Sequence, residues 1–216
     1  MKGLYLNTVS NNLAEVLNQL MQMEEFNAFR LVGGTALSLQ LGHRFSVDID
    51  LFTDSLYGSV DFEMIEKTLE SSFPFVNMLY KGNVGFGKTY YIGKSEEDAV
   101  KVDFFYTDPF IRPIIEIDSI RMATIEEIAA MKMEVVGNDG RRKDFWDIHE
   151  LLDYLSLEQM LALHAERYPY SHSKEVLINK IVDFRLADTV VDPICLKGKY
   201  WELIKVDLSN IAQTAK

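Results

Sequence analysis

The chain has 216 residues, enough for one domain or two small ones. It is 48% hydrophobic and 25% charged, a globular composition, and no apolar run approaches the ~20 residues of a bilayer-spanning helix, so no membrane association is expected. A net charge of −11 argues against a broad nucleic-acid-binding surface, and Arg141-Arg142-Lys143 is the one basic cluster. The single cysteine, Cys195, cannot form an internal disulfide, and residues 1–7 lack the hydrophobic core of a signal peptide; both features predict a cytoplasmic location.

In chain order, residues 10–26 carry Leu13, Val16, Leu17 and Leu20 at helical spacing, with Asn12 and Glu15 as a capping pair. Residues 29–32 predict a short strand running into Gly33-Gly34, followed by a helix over 35–41 and a strand over 47–52. A helix over 62–73 precedes strands over 75–80, 89–92, 101–107 and 114–117. After residue 120 the pattern becomes helical. Thr124-Ile125-Glu126-Glu127 is a capping box opening a helix to about residue 136, and Asn138-Asp139-Gly140 breaks it. Helices follow over about 142–155, from the second capping box Ser156-Leu157-Glu158-Gln159 onward, over 174–187 and over 198–213. An α/β half, residues 1–120, thus precedes an all-helical half, residues 121–216, and a cleft between two such halves is the natural place for a ligand.

Several positions break these patterns. Asp48 and Asp50 stand one residue apart on an otherwise apolar strand, so they point to the same face. Two carboxylates side by side repel each other and resist burial, and a divalent cation relieves both problems. Asp103 is a lone acid in another strand that reads as buried; it gains weight if that strand lies beside Asp48 and Asp50. Lys132 falls inside the apolar stripe of Ile125, Ile128, Ala129 and Val136, where an ammonium must snorkel out or find an anion. In the next helix Asp144 lies within the buried arc of Phe145, Ile148 and Leu151, and Asp147 borders it. Acids at a helix start also favour the macrodipole, which explains an exposed aspartate better than an inward one.

Gly82-Asn83-Val84-Gly85-Phe86-Gly87-Lys88-Thr89 matches the phosphate-binding P-loop pattern residue for residue. That pattern works only where a helix follows, and Tyr90-Tyr91-Ile92-Gly93 is β-like, so a hairpin connection is expected here. The histidines show no metal-binding spacing, and Cys195 has no histidine partner that would make it a nucleophile.

Gly33-Gly34-Thr35-Ala36-Leu37, followed by Arg44, Ser46 and Asp48-Ile49-Asp50, resembles the signature of the AbiEii/AbiGii-type nucleotidyltransferase toxins, within the DNA polymerase β-like nucleotidyltransferase superfamily. Lys132 and Lys143-Asp144-Phe145-Trp146-Asp147 match that family's later lysine and Lys-Asp-x-x-Asp segment, so the resemblance covers about residues 29–155. It implies an α+β nucleotidyltransferase fold, a small mixed sheet with flanking helices followed by an all-helical C-terminal part. It also implies transfer of a nucleoside monophosphate from an NTP to an acceptor hydroxyl of RNA such as tRNA, of a protein or of a small molecule, with an antitoxin protein as partner. On this resemblance Asp48, Asp50 and Asp103 would hold Mg²⁺ or Mn²⁺, and Gly33, Gly34, Thr35, Arg44, Ser46 and Lys132 would bind the nucleotide. Asp103 would activate the acceptor hydroxyl or bind the second metal ion, and Asp144 would assist the acceptor or position Lys132, with Lys143 and Asp147 as acceptor or supporting residues. The competing expectation is a binding module that keeps the fold, has little catalysis and acts through a protein partner.

Overall fold

The computed structural model describes residues 3–78 and 85–215. The chain forms two compact units, one of Met1–Gln40 and Ser46–Ala123, the other of Leu41–Phe45 and Thr124–Lys216.

The first unit opens with α1 (Asn11–Gln22). Its N-cap is Ser10, whose hydroxyl accepts the Leu13 N–H; the expected caps Asn12 and Glu15 reach Asp98 and Lys94. The helix stops short of residue 26 because Met23 is extended, and a 3₁₀ turn, Glu24–Phe26, follows. Then come β1 (Arg30–Leu31), α2 (Gly33–Leu41), β2 (Asp48–Thr53), α3 (Phe62–Ser72), β3 (Phe75–Met78), β4 (Gly87–Gly93), β5 (Val100–Tyr106), β6 (Ile115–Ile117) and β7 (Ile120–Met122). The seven strands form one sheet in the order β3-β4-β5-β2-β1-β7-β6, with β2 parallel to β5, β1 parallel to β7 and the other pairs antiparallel. Strand β7 was not expected from the sequence. Asp118 and Ser119 turn the chain into it with φ of 51° and 64°, the left-handed pair that a two-residue hairpin demands.

Alternation sets the two faces of the central strands. Ile49 and Leu51 of β2, with Val102 and Phe104 of β5, are fully buried on one face. Phe104 is the hub of an aromatic cluster, with ring centroids 5.1 Å from Phe26, 5.2 Å from Phe29 and 5.8 Å from Tyr90. Each such side chain stabilises the fold by roughly 1.5–3 kcal/mol through burial. The opposite face carries the odd residues out: Asp48, Asp50, Lys101 and Asp103.

The end of the strand expected over 75–80 (Leu79 and Tyr80) lies outside the described residues, as do Gly82, Asn83 and Val84 of the P-loop-like match. Gly87, Lys88 and Thr89 of that match lie in β4, so a strand stands where a phosphate-binding helix would have to begin.

The second unit is helical: α4 (Ile125–Gly137), α5 (Arg142–Leu151), α6 (Leu157–Arg167), α7 (Lys174–Lys180) and α8 (Trp201–Thr214). Thr124 caps α4 by accepting the Glu127 N–H, and Glu127 forms a fully buried ion pair with Arg167 at 2.6 Å. Ser156 and Gln159 form a complete capping box. Helices α5 and α7 end earlier than expected, at Leu151 and Lys180, and α8 starts later, at Trp201. Phe145, Trp146, Phe184 and Trp201 pack together, the two indoles stacked with centroids 6.4 Å apart. Among the described residues no helix is long and apolar enough to cross a membrane.

Candidate functional site

In the first unit, β2 and β5 run parallel with Asp48 beside Lys101, Ile49 beside Val102 and Asp50 beside Asp103. The side chains at 48, 50, 101 and 103 therefore share one face, in two cross-strand rows. One row joins opposite charges and is favourable; the other sets two carboxylates side by side and is not. Asp103 is the acid whose importance hinged on its strand's position, and it stands next to Asp50. Its Oδ1 accepts the Thr89 hydroxyl of β4 at 2.6 Å, and its Oδ2 is ion-paired with the Lys101 ammonium. Burial by itself would lower the Lys101 pKa; the bond to Asp103 and the charges of Asp103, Asp48 and Asp50 outweigh it and raise the pKa above its ordinary value.

The turn that enters α2 supports these carboxylates. Gly33 has φ of +69°, and a Cβ added there would stand 2.5 Å from Asp50 Oδ2. The residue must be glycine for two reasons: left-handed backbone, and space for the Asp50 carboxylate. The Val32 N–H donates to the Asp50 carbonyl at 2.9 Å, pinning the turn to β2. Gly33 and Gly34 form the first turn of α2, where backbone N–H groups lack helical partners and suit an anion. The Thr35 hydroxyl donates to the Asp48 carbonyl and lies 2.9 Å from the buried Ser46 hydroxyl. These two residues, expected at the nucleotide, fix the start of β2 in this way.

The remaining expected residues lie in the second unit. Lys132 on α4 is buried, with its ammonium 2.7 Å from Asp144 Oδ1 and 2.6 Å from Asp147 Oδ2. Asp144 Oδ2 also accepts the Arg141 N–H at 3.0 Å, so one carboxylate caps α5 and holds the lysine. Asp147 is fully buried, and Arg44 grips it with two bonds, Nε to Oδ1 at 2.6 Å and Nη2 to Oδ2 at 2.8 Å. His43 Nε2 lies 2.8 Å from the same Oδ1. Burial would raise the Asp147 pKa, but Arg44 and Lys132 hold it well below the usual carboxylate range. Burial would lower the Lys132 pKa, and Asp147 and Asp144 hold it above the ordinary lysine value. Lys143 is partly buried on the first turn of α5. In the basic cluster, Arg142 donates to Asp192 and to the Ala187 and Asp188 carbonyls.

All donors on the β2–β5 face are carboxylate oxygens, the set that suits a hard divalent cation such as Mg²⁺ or Mn²⁺. The Gly33 cradle keeps room for one of them, and an ammonium already stands there as a cation. Among the described residues no three His, Cys, Asp or Glu side chains are gathered closely enough to enclose a metal ion. The donor types and their common face fit such an ion, and Asp103 is ion-paired to Lys101. Sequence reasoning missed Lys101 and Thr89. Lys101 was findable, since it precedes Asp103 by two on a strand and so shares its face; Thr89 required knowing that β4 pairs with β5.

The profile of one family, described as the nucleotidyl transferase AbiEii toxin of type IV toxin–antitoxin systems, matches residues 15–201. The chain belongs to the AbiEii nucleotidyltransferase toxin family. It is therefore a transferase, of the class that moves nucleotidyl groups from NTPs. The uncharacterised protein aq_aa25 of Aquifex aeolicus (strain VF5) is 28% identical over 206 residues, 88% of this chain and 89% of that one. Two solved structures share the fold. One is an H. pylori protein described as a candidate nucleotidyltransferase, with a TM-score of 0.59, 20% identity, and coverage of 93% of this chain and 92% of that one. The other is MenT4, the nucleotidyltransferase toxin Rv2826c of Mycobacterium tuberculosis H37Rv, with a TM-score of 0.59, 16% identity, and coverage of 93% and 82%.

Proposed function

We propose that this AbiEii family member transfers a nucleoside monophosphate from an NTP to an acceptor hydroxyl, on RNA such as tRNA, on a protein or on a small molecule. It would do so in the cytoplasm as a toxin held in check by an antitoxin protein. The observation that carries this reading is the face shared by Asp48, Asp50 and Asp103 beside the Gly33 turn. Those three carboxylates would hold the divalent cation. A bound Mg²⁺ or Mn²⁺ supplies charge neutralisation on the phosphates and a template for in-line attack. The backbone N–H groups of Gly33, Gly34 and Thr35 bind the triphosphate oxygens at the start of α2. Asp103 takes the proton of the acceptor hydroxyl as its oxygen bonds to the α-phosphorus and the bond to pyrophosphate breaks. Lys132 gives charge to a phosphate, with Asp144 and Asp147 fixing its position and Arg44 holding Asp147; in the other unit Ser46 supports Thr35.

A second reading has one observation in its favour. Among the described residues the carboxylates do not form a metal-ion cluster, and Asp103 is already ion-paired to Lys101, which suits a fold-retaining module of low activity that works through a partner. One experiment separates the two. Each α-labelled NTP is incubated with Mg²⁺, cell extract and either wild-type protein or Asp48→Asn. Label entering RNA, protein or small molecules with wild type, and falling to background with Asp48→Asn, is the expected outcome. Equal labelling by both proteins would remove Asp48 from the reaction, and absence of label in every fraction would favour the binding module.

A further inference from the structure

The ammonium of Lys101 takes no part in the transfer proposed above. It lies on the same face as the three carboxylates, beside Asp48 across the β2–β5 pair and ion-paired to Asp103 along its own strand. Its side chain is about one-third exposed, so water and small ions reach it. We propose that Lys101 is a resident counter-ion of the carboxylate face, which holds Asp103 in place before loading and must give it up when a divalent cation binds. The inference rests on the reading of Asp48, Asp50 and Asp103 as cation ligands.

Asp50 and Asp103 are cross-strand neighbours of like charge, an arrangement that destabilises the strand pair unless a cation stands nearby. Lys101 is that cation: its ammonium is ion-paired to Asp103 along its own strand and stands across from Asp48. A divalent ion brought to the same oxygens meets Coulomb repulsion from the ammonium. It also needs the Asp103 oxygen that the ammonium occupies. The lysine and the metal therefore compete for one carboxylate. Lys101 is a positioning residue: it acts through Asp103, and its removal has the unusual consequence of tightening metal binding to the NTP-free protein. A lysine of purely structural value would, on removal, loosen the site.

The test is a titration of NTP-free, full-length protein with Mn²⁺ alone, the free ion counted by electron paramagnetic resonance. Wild type, Lys101→Met, Lys101→Arg and Asp48→Asn are compared. Because unit charges a few ångströms apart interact by several times the thermal energy, Lys101→Met is expected to bind Mn²⁺ at least about tenfold more tightly than wild type. Lys101→Arg, which keeps the charge, should stay near wild type, and Asp48→Asn should bind more weakly. If Lys101→Met leaves affinity unchanged or weakens it while Asp48→Asn weakens it, the counter-ion proposal fails and the cation-ligand reading stands. If neither change alters Mn²⁺ binding, that reading fails and the proposal with it. Should Lys101→Met not fold, wild type answers alone. The ammonium resonance of Lys101, protected from exchange by Asp103, is expected to disappear from cold ¹H–¹⁵N spectra as Mg²⁺ is added. Its persistence at saturating Mg²⁺ would overturn the proposal.

Discussion

Gly33 shows how much a single missing atom can decide. Its φ of +69° is costly for any residue with a Cβ, and that Cβ would also press on Asp50 Oδ2 at 2.5 Å. Gly33→Ala therefore combines a left-handed penalty of roughly 1–2 kcal/mol with overpacking of roughly 1–3 kcal/mol. It also moves a carboxylate on which the proposed transfer depends. Gly58 offers the matched control, since its φ is +83° but nothing lies within 4 Å of an added Cβ. Gly58→Ala should lose only the backbone share of stability and keep nucleotidyl transfer, whereas Gly33→Ala should lose both. Equal urea midpoints and equal activities for the two variants would show that the clash with Asp50 has no weight. The glycine pair and the Asp48–Asp50 alternation were both legible in the chain, because each is a local rule. That Asp50 leans on Gly33 was not, because it joins residues on two elements.

At the scale of elements, the buried charges of the second unit act as a clamp. Lys132 of α4 binds Asp144 and Asp147 of α5, and Arg44 closes on Asp147 from outside either helix. Asp147→Asn leaves Arg44 and Lys132 buried with too little negative charge, so a loss of roughly 3–5 kcal/mol is expected. Both tryptophans, Trp146 and Trp201, lie in this unit, so their fluorescence during denaturation reports the change directly. Asp139→Asn, which removes an exposed partner of Lys180, should scarcely shift the midpoint. An Asp147→Asn midpoint equal to that of Asp139→Asn would show the clamp to be idle. The sequence identified Lys132 and Asp144 as inward-facing because charge interrupted an apolar stripe. It could not reveal that they face each other, nor that Arg44, distant in the chain, shares the cluster. Element ends were the least legible. Strand β7 was hidden because its turn uses Asp118-Ser119 where a hairpin signal would use Asn-Gly, and the stretch after Lys180 kept apolar spacing without forming a helix.

Across the whole molecule, the same clamp predicts how stability depends on pH. The Asp147 pKa is depressed, so its contribution is present above the ordinary aspartate value of about 3.9 and is lost as pH falls toward the folded-state value. The Lys132 pKa is raised, so its contribution is present below the ordinary value of about 10.4 and is lost as pH rises through the folded-state value. Thermal unfolding followed by tryptophan fluorescence should therefore be steep below about pH 4 and again above about pH 10, relative to the region between. In Asp147→Asn the acid limb should flatten. An acid limb unchanged in that variant would assign it to other carboxylates.

The alternation of β2 also limits how this chain can vary in length. Ile49 and Leu51 belong to the core, Asp48 and Asp50 to the opposite face, and β5 meets them in register. Insertion or deletion of a single residue within 48–53 would exchange the two sets, driving carboxylates into the aromatic cluster and isoleucine and leucine onto the site. A change of two residues restores the faces. Length variants of this strand that still fold should therefore differ from it by even numbers, a parity rule that a random insertion library selected for folding would reveal.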